Sequence, residues 1–135
     1  MTAVTIAVPG SLAAFLACEP SGNPIGLIEA ALRTDYVNGT NTSPVAFLEG
    51  IFVVPENRRK GVARSLVAAA EQWASSLGCL EFASDALLEN KQSHAMHRAL
   101  GFQETERVVF FRKMLPVYRR NKRHLNPESP PFQVR

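Results

Sequence analysis

The sequence lacks any apolar run near the roughly 20 residues that a membrane-spanning helix needs. It has two cysteines, Cys18 and Cys79, each inside an apolar stretch and neither within a Cys/His ligand spacing. The first residues show no basic region ahead of an apolar segment, which is the mark of a signal peptide. We therefore expect a cytoplasmic chain with two buried free thiols, no membrane contact and no metal ion.

The net charge of +3 comes from one end of the chain. Residues 116–135 hold five basic residues against Glu128, a balance of +4, whereas residues 1–115 hold 10 basic and 11 acidic residues. A basic tail with several prolines is typical of an extended or disordered segment. We expect one domain over residues 1–115 followed by a tail over 116–135, and nucleic acid is an unlikely partner for the domain.

Two familiar phosphate loops are also absent, because the chain contains neither Gly-Lys-Ser/Thr nor the three-glycine dinucleotide fingerprint. In their place, an apolar run stops at Pro55, a basic turn follows, and a helical pattern starts near Gly61. The first amides of a helix lack internal partners and favour anions. Since Gly61 carries no side chain and Arg58, Arg59, Lys60 and Arg64 surround it, the turn predicts a polyanion site, most simply for a pyrophosphate.

The flanking patterns predict an α/β (α+β) domain built on a mixed central sheet. Whether Met1–Gly10 forms an edge strand or only leads into the domain stays open. The predicted elements are strands at 11–18, 25–33, 45–54 and 80–85, helices at about 61–77 and 90–100, last strands at 104–115, and a loop at 34–44. Strand, helix and strand in sequence over 45–85 indicate a right-handed βαβ unit.

Glu49 and Gly50 interrupt the apolar run 45–54, which otherwise predicts a strand buried on both faces. Glycine inside a strand indicates a bulge or a close approach that splays neighbouring strands. A buried carboxylate is costly, so Glu49 either faces a polar cavity or pairs with an internal arginine such as Arg33 or Arg112. Asp85 ends the next strand, where α/β sheets bind ligands. Both carboxylates, with Asp35, suit an acceptor bearing several ammonium groups.

The pattern Arg58-x-x-Gly61-x-Ala63 resembles the acetyl-CoA loop of the GNAT superfamily of N-acetyltransferases. Over about residues 11–115 the sequence is similar to aminoglycoside 6′-N-acetyltransferases. The matching stretches are residues 35–39, 43–45, 47–53, 83–85 and 99–107.

This resemblance implies direct acetyl transfer from acetyl-CoA to an aminoglycoside 6′-amine. It implies that Glu49 and Asp85 line the acceptor site, with Asp35 and Tyr36 on the nearby loop. The cofactor would contact the backbone of Ile51, Phe52 and Val53, the turn from Arg58 through Val62 and Ala63 to Arg64, and Asn90. Glu49 acting through a water is the candidate base.

Two features depart from the family pattern. His97 stands where many of these enzymes place a tyrosine near the CoA sulfur; it is either an acid for the departing thiolate or a packing residue of its helix. Ahead of Ser11, the usual first strand and two helices have only about ten residues in their place. An uncovered sheet edge predicts a homodimer or weak activity. A GNAT enzyme for a polyamine or protein amine, an inactive CoA-binding remnant, and a domain whose basic tail binds nucleic acid stay open as alternatives.

Overall fold

The computed structural model describes residues 2–7 and 10–118. Its five-stranded sheet has the order β1-β2-β3-β4-β5, with the first four strands antiparallel and β5 parallel to β4. The elements are β1 (Thr2–Ala7), β2 (Leu12–Cys18), β3 (Pro24–Arg33), β4 (Val45–Val53), a 3₁₀ turn (Pro55–Asn57), α1 (Val62–Ser76), β5 (Phe82–Ala83) and α2 (Lys91–Ala99). The predicted mixed sheet and both predicted helices are confirmed.

The start of the chain forms an edge strand. β1 pairs with β2 from Thr2↔Cys18 to Ala7↔Ala14, with an irregularity after Thr5. The question left open by the sequence is therefore answered in favour of an edge strand, which is the antiparallel neighbour of β2. The outermost described strands of the sheet are β1 on this side and β5 on the other.

β4 contains the predicted bulge. Glu29 pairs with Gly50 and Ala30 pairs with Leu48, so Glu49 is the extra residue on β4. Before the bulge Leu48 packs in the core with α1 residues, and after it Ile51 and Val53 pack on the same core. The extra residue therefore changes which positions face α1, and this explains why the run reads as continuously apolar.

α1 covers one face of the sheet and builds the main core. Leu66 and Ala70 are fully buried, and Val62 packs with them against Ile28 and Ala30. A Cβ on Gly26 would lie 3.0 Å from the Val62 side chain and 3.1 Å from that of Leu66, so the helix approaches β3 where β3 has no side chain. The amphipathic spacing of α1 thus fixes its N-terminus beside the end of β4.

β5 is shorter than predicted. Only Phe82 and Ala83 pair with β4, opposite Ala46 and Phe47. Leu80, expected inside a buried strand, is 82% exposed. Residues 79–83 bury Cys79 and Ala83, but Glu81 between them bonds the loop over residues 34–44, and only two residues pair with β4. Leu100 and Phe102, which follow α2, pack against the main core.

The predicted last strands are absent from the described part of the chain. Residues 103–118, called here the C-terminal segment, have no regular secondary structure and are all exposed. A strand requires a hydrogen-bonded neighbour, and none of the described strands pairs with this segment. Most of the predicted tail, residues 119–135, lies outside the described residues.

Both cysteines are free, Cys79 buried and Cys18 only partly so, which corrects the expectation that both are buried. Burial raises the pKa of the Cys79 thiol, while a hydrogen bond with the backbone of Ala46 opposes the shift. Among the described residues, no helix combines the length and hydropathy required to cross a membrane.

Candidate functional site

The turn between β4 and α1 presents free amides at the start of a long helix. After the 3₁₀ turn, Arg59 and Gly61 both take the left-handed conformation, with φ of 62° and 81°. Gly61 is the N-cap of α1, and no side chain caps the helix. A Cβ on Gly61 would meet nothing within 4 Å. Glycine is thus required by the backbone conformation as well as by access, and the uncapped N-terminus can accept an anion.

Two of the four predicted cations are tied to the fold. Arg58 donates from Nε to the Val53 carbonyl at 2.9 Å, and its guanidinium lies 5.8 Å from the Phe52 ring centroid. Arg64 donates to the Ala99 carbonyl at 3.5 Å. The side chains of Arg59 and Lys60 are exposed. Arg58 and Arg64 are exposed as well, but they hold the turn against β4 and α2. Arg59 and Lys60 make no side-chain hydrogen bond with the described part of the chain, so their charges are available to a ligand.

Val62 and Ala63, the two residues that follow Gly61, differ in how deeply they are buried. The side chain of Val62 is 3% exposed and lies against Gly26, so only its backbone N–H is available to a ligand. Ala63 is partly buried. Both belong to the first turn of α1, where amides lack intrahelical partners, and Ser65 is the residue whose N–H bonds back to the Gly61 carbonyl.

β4 and β5 separate where the predicted cofactor strand begins. Their register ends at Phe47↔Ala83, and in the described structure β4 continues to Val53 without a strand partner on that side. On its other side Ile51, Phe52 and Val53 pair with β3. The open side of β4 carries backbone groups that a ligand with amide groups can pair with. The predicted splay is confirmed.

Glu49 is exposed rather than buried, which corrects the expectation for this strand. Its Oε1 accepts from Arg33 Nη2 at 3.0 Å, and the two side chains are 37% and 42% exposed. The Arg33 guanidinium also lies 3.8 Å from the Phe47 ring centroid. The bulge turns Glu49 outward, so the pairing with Arg33 considered from the sequence is the one observed. At this exposure the pair contributes about 1 kcal/mol or less to folding.

A pocket of about 280 Å³ lies beside the bulge, lined by Leu27, Glu29, Gly50, Ile51 and Phe52. Glu29 is opposite Gly50 and exposed. Sequence reasoning missed it, although it interrupts the apolar run of β3 just as Glu49 interrupts that of β4. Glu29 gives the pocket an additional acidic residue that a cationic ligand can use.

Glu49 and Asp85 both follow the last residue pair between β4 and β5. That pair is Phe47↔Ala83, and Glu49 lies two residues after Phe47 within β4, whereas Asp85 lies two residues after Ala83 and outside β5. Asp85 is exposed, in the loop that follows β5. Both predicted carboxylates thus come just after the point where β4 and β5 separate, Glu49 on β4 and Asp85 in the loop after β5.

The loop over residues 34–44 is held beside the starts of β4 and β5, while Asp35 and Tyr36 stay exposed. Glu81 Oε1 accepts from the backbone N–H groups of Asn41 and Thr42, at 2.9 and 2.8 Å, and from the Thr42 hydroxyl. That hydroxyl, followed by the Asn41 amide, lowers the pKa of Glu81 below its ordinary value. Glu81 thus positions the loop through charge-assisted hydrogen bonds, and sequence reasoning missed it.

His97 connects α2 to the end of β5. Its Nδ1 is 2.7 Å from the Ser93 carbonyl, which can only accept, so Nδ1 carries the proton. Nε2 is 2.7 Å from the Ser84 hydroxyl, which then donates to the ring. The ring also packs edge-on against Phe102 at 5.3 Å. The structure thus gives His97 a packing role and one hydrogen-bonded route toward the crevice, through Ser84.

Asn90 caps α2. Its Oδ1 accepts from the Ser93 amide at 3.0 Å, the ordinary N-cap bond. The side chain is exposed, and its amide N–H groups can still donate to a ligand. Among the described residues no group of three or more His, Cys, Asp or Glu side chains could hold a metal ion.

Comparison with known proteins identifies the fold. Residues 6–102 match the Acetyltransferase (GNAT) family. The chain belongs to this family. The match includes the bulged strand, the basic turn, α1 and α2, which are the elements that form the site.

Within the GNAT family, similar curated proteins share one name. The chain is 60% identical over 98 residues to aminoglycoside N(6′)-acetyltransferase type 1 of Acinetobacter genomosp. 13, covering 73% of this chain and 67% of that protein. It is 54% identical over 103 residues to the enzyme of that name from Stenotrophomonas maltophilia, covering 76% of this chain and 67% of that protein. The matched region thus spans about two thirds of the length of these relatives.

Solved structures agree with the sequence comparison. The crystal structure of 6′-N-acetyltransferase AAC(6′)-Ih from Acinetobacter baumannii has a TM-score of 0.76 and 56% identity, covering 80% of this chain and 74% of that one. AAC(6′)-Iy in complex with the bisubstrate analogue CoA-S-monomethyl-acetylneamine has a TM-score of 0.74 and 51% identity, covering 79% and 72%.

Proposed function

We propose that this GNAT chain is an aminoglycoside 6′-N-acetyltransferase that uses acetyl-CoA and acts in the cytoplasm. The observation that carries the proposal is the separation of β4 from β5 after Phe47↔Ala83, which leaves an open edge on the strand that leads into the basic turn and α1. The relatives named above, which carry this activity in their names, support it. Cytoplasmic action fits the cofactor, because acetyl-CoA is an intracellular metabolite.

The turn and the open edge of β4 fit acetyl-CoA. The first amides of α1, together with Arg59 and Lys60, would hold the pyrophosphate. The backbone of Ile51–Val53 would pair with the amide-containing arm, and the amide of Asn90 would donate to it. Acetyl-CoA supplies a thioester whose acetyl group passes to the amine while CoA leaves as a thiolate. Free backbone N–H groups beside the bulge would polarise the thioester carbonyl.

The acidic residues would serve the acceptor. An aminoglycoside carries several ammonium groups, which Asp85, Asp35 and Glu29 would attract, and Tyr36 would offer a ring face. The attacking amine must be neutral, so Glu49 would take its proton through a water molecule. With a second proton taken from solvent onto Nε2, His97 would pass that proton to the Ser84 hydroxyl, which would give its own proton to the thiolate. We also propose that the enzyme is a homodimer.

The assay that tests this function measures thiol release from acetyl-CoA with a kanamycin-like aminoglycoside and with a polyamine. Asp85→Asn is expected to raise KM for the aminoglycoside at least tenfold, because it removes a charge from the acceptor side. Glu49→Gln is expected to lower kcat by about a hundredfold, the scale of one general base. Acetyl-CoA affinity should stay near wild type in both variants.

Glu71→Gln is the matched control, because Glu71 is exposed on α1 away from the crevice. It should leave all constants unchanged. Turnover of the polyamine but not of the aminoglycoside would move the chain to another acceptor class. Acetyl-CoA binding without turnover of either acceptor would indicate a binding protein.

A further inference from the structure

Ser84 and His97 form a hydrogen-bonded pair at the end of β5. The Ser84 hydroxyl oxygen lies 2.7 Å from His97 Nε2, and His97 Nδ1 lies 2.7 Å from the Ser93 carbonyl oxygen. Since a carbonyl can only accept, Nδ1 carries the proton, Nε2 keeps its lone pair, and the hydroxyl donates to the ring. An imidazole held in this way by a third group can act as a base toward the serine.

The surroundings of the imidazole fix its orientation. The ring packs edge-on against Phe102 at 5.3 Å, and Phe102 in turn packs edge-on against Phe82 at 5.5 Å. Ser93, whose carbonyl holds Nδ1, is itself bonded through its amide N–H to Asn90 Oδ1 at 3.0 Å. One ring nitrogen is therefore held by a carbonyl of a capped helix, and the other stays directed at the serine hydroxyl.

Ser84 lies at the point where β4 and β5 separate. Ala83, the residue before it, forms the last pair of the two strands with Phe47. Ser84 and His97 are both half-buried, so neither is enclosed in the core. Within the described part of the chain the Ser84 hydroxyl has no hydrogen-bond partner besides the imidazole. The pair therefore borders the gap that opens beside β4, next to the bulge where the proposed function places the thioester of acetyl-CoA.

Other serine hydroxyls of the described chain bond to the backbone. Ser76 donates to the Trp73 carbonyl at 2.6 Å, and Ser43 donates to the Thr34 carbonyl at 3.0 Å. A carbonyl satisfies a hydroxyl but does not take its proton. Ser84 differs because its acceptor is an imidazole nitrogen, which takes up and releases protons near neutral pH.

We propose that Ser84, activated by His97, accepts the acetyl group of acetyl-CoA when no amine is bound, so that the chain slowly hydrolyses acetyl-CoA. This activity rests on the acetyl-CoA site of the proposed function. In the transfer to an amine the pair acts as an acid, with Nε2 protonated. In the hydrolysis it acts as a base, with Nε2 unprotonated.

The hydrolysis has two steps and needs only water as co-reactant. Ser84 Oγ bonds to the thioester carbon while its proton passes to Nε2, the C–S bond breaks, and the proton goes to the departing CoA thiolate. Water then attacks the acetyl-serine carbon and gives a proton to Nε2, and that proton returns to Ser84 Oγ as the ester C–O bond breaks. The products are CoA and acetic acid. Free amides beside the bulge would stabilise the oxyanion in both steps.

An alkyl fluorophosphonate tests the activated serine without any need for CoA, because serines activated by a histidine displace its fluoride and keep a stable phosphonyl ester. Peptide mapping of the labelled full chain is expected to place the ester on Ser84. His97→Gln keeps a hydrogen-bonding side chain but cannot take the proton, so labelling should slow by about a hundredfold.

Ser76→Ala is the matched control for this labelling, because the Ser76 hydroxyl donates to a carbonyl on the exposed end of α1. It should be labelled on Ser84 at the wild-type rate. Far-UV circular dichroism checks that each variant is folded. No label on Ser84, or equal labelling rates in the wild type and His97→Gln, would overturn the proposal.

Mass spectrometry of the chain quenched in acid after mixing with acetyl-CoA alone tests the acetyl step. The wild type is expected to gain the mass of one acetyl group on Ser84 and to release CoA thiol without an added amine. Ser84→Cys keeps a nucleophile beside Nε2 and should still be acetylated at that position. Ser84→Ala should lose both the label and most of the amine-independent thiol release.

The two reagents separate the failure of this inference from the failure of the proposed function. Acetylation of an aminoglycoside with no acetyl group on Ser84 would overturn the serine route and leave the proposed function standing. Labelling of Ser84 by the fluorophosphonate in a chain that shows no acetyl-CoA binding by calorimetry would contradict the proposed function, and the hydrolysis with it.

Discussion

At the scale of single residues, the site depends on backbone conformation more than on side-chain charge. Gly61 has a positive φ and open space around it, so it allows the chain to enter α1 without a capping side chain. Arg58 and Arg64 donate hydrogen bonds to backbone carbonyls of β4 and α2. The basic turn is therefore partly a structural device, and the sequence pattern did not distinguish the two uses of arginine.

Substitution of Gly61 separates charge from strain. Gly61→Asp is expected to weaken acetyl-CoA binding by about tenfold or more, which corresponds to about 1.4 kcal/mol, because it adds a negative charge where the pyrophosphate would lie. Gly61→Asn has nearly the same shape and tolerates positive φ, so it should retain most of the affinity. Calorimetric titration of both folded variants makes the comparison. Equal affinities would remove the basis for the pyrophosphate site.

Glu81 makes loop attachment dependent on pH. Its pKa is lowered in the folded state by the Thr42 hydroxyl and the Asn41 amide. Its contribution to stability is therefore present above its unfolded pKa and is lost as the pH falls through the lower folded value. Glu81→Gln should have a lower melting temperature than wild type at pH 7, and this difference should shrink as the pH is lowered below 4. A difference that stays constant with pH would show that the carboxylate charge is not involved.

At the scale of elements, hydrophobic periodicity predicted the strands and helices that bury an apolar face within one chain. The hairpin, β4 and α1 have long apolar patterns that a single domain satisfies, and their predicted bounds lie close to the observed ones. The strand predicted at 104–115 has the same kind of composition. That predicted strand is not formed because a strand needs a neighbouring strand to pair with, and the sequence pattern does not specify which strand edge would pair with it. β5 is shorter than predicted for a related reason, because its pairing with β4 ends where the two strands separate.

The residues of the candidate site also divide into those that the sequence predicted and those that it did not. Glu49, Asp85 and the turn at Gly61 were predicted because polar residues or glycine interrupt apolar runs there. Glu81 and Ser84 were not predicted, because their roles arise from contacts with Thr42 and His97 that only the fold creates.

The packing of α1 on the sheet gives an element-scale prediction. Leu66 is fully buried against β3 and the neighbouring strands. Leu66→Ala should reduce the free energy of unfolding by about 2–5 kcal/mol, since it removes buried methyl groups and leaves a cavity. Leu77→Ala, at the exposed end of α1, should cost less than about 1 kcal/mol. Urea unfolding of both variants tests this, and equal losses would mean that α1 does not pack as described.

At the scale of the whole molecule, charge and apolar surface are unevenly placed. Residues 1–115 are close to neutral and the last residues are basic. The main core lies on the α1 side, while the crevice opens at the divergent ends of β4 and β5. Exposed apolar side chains gather beyond residue 107 and around β5. The side of the sheet covered by α1 is therefore packed, whereas the exposed apolar side chains around β5 stay available for binding.

The bulge at Glu49 also limits how this chain can change in length. Because one extra residue shifts the side-chain alternation of β4, its first half and its last half each face α1 with different parity. Deleting Glu49 would restore a regular strand in which Leu48, Ile51 and Val53 still face α1, because Glu49 and Gly50 both lie on the exposed side. A one-residue deletion at the bulge should therefore keep the sheet and its core but remove the outward carboxylate of β4, so such a variant is expected to fold and to be poorly active.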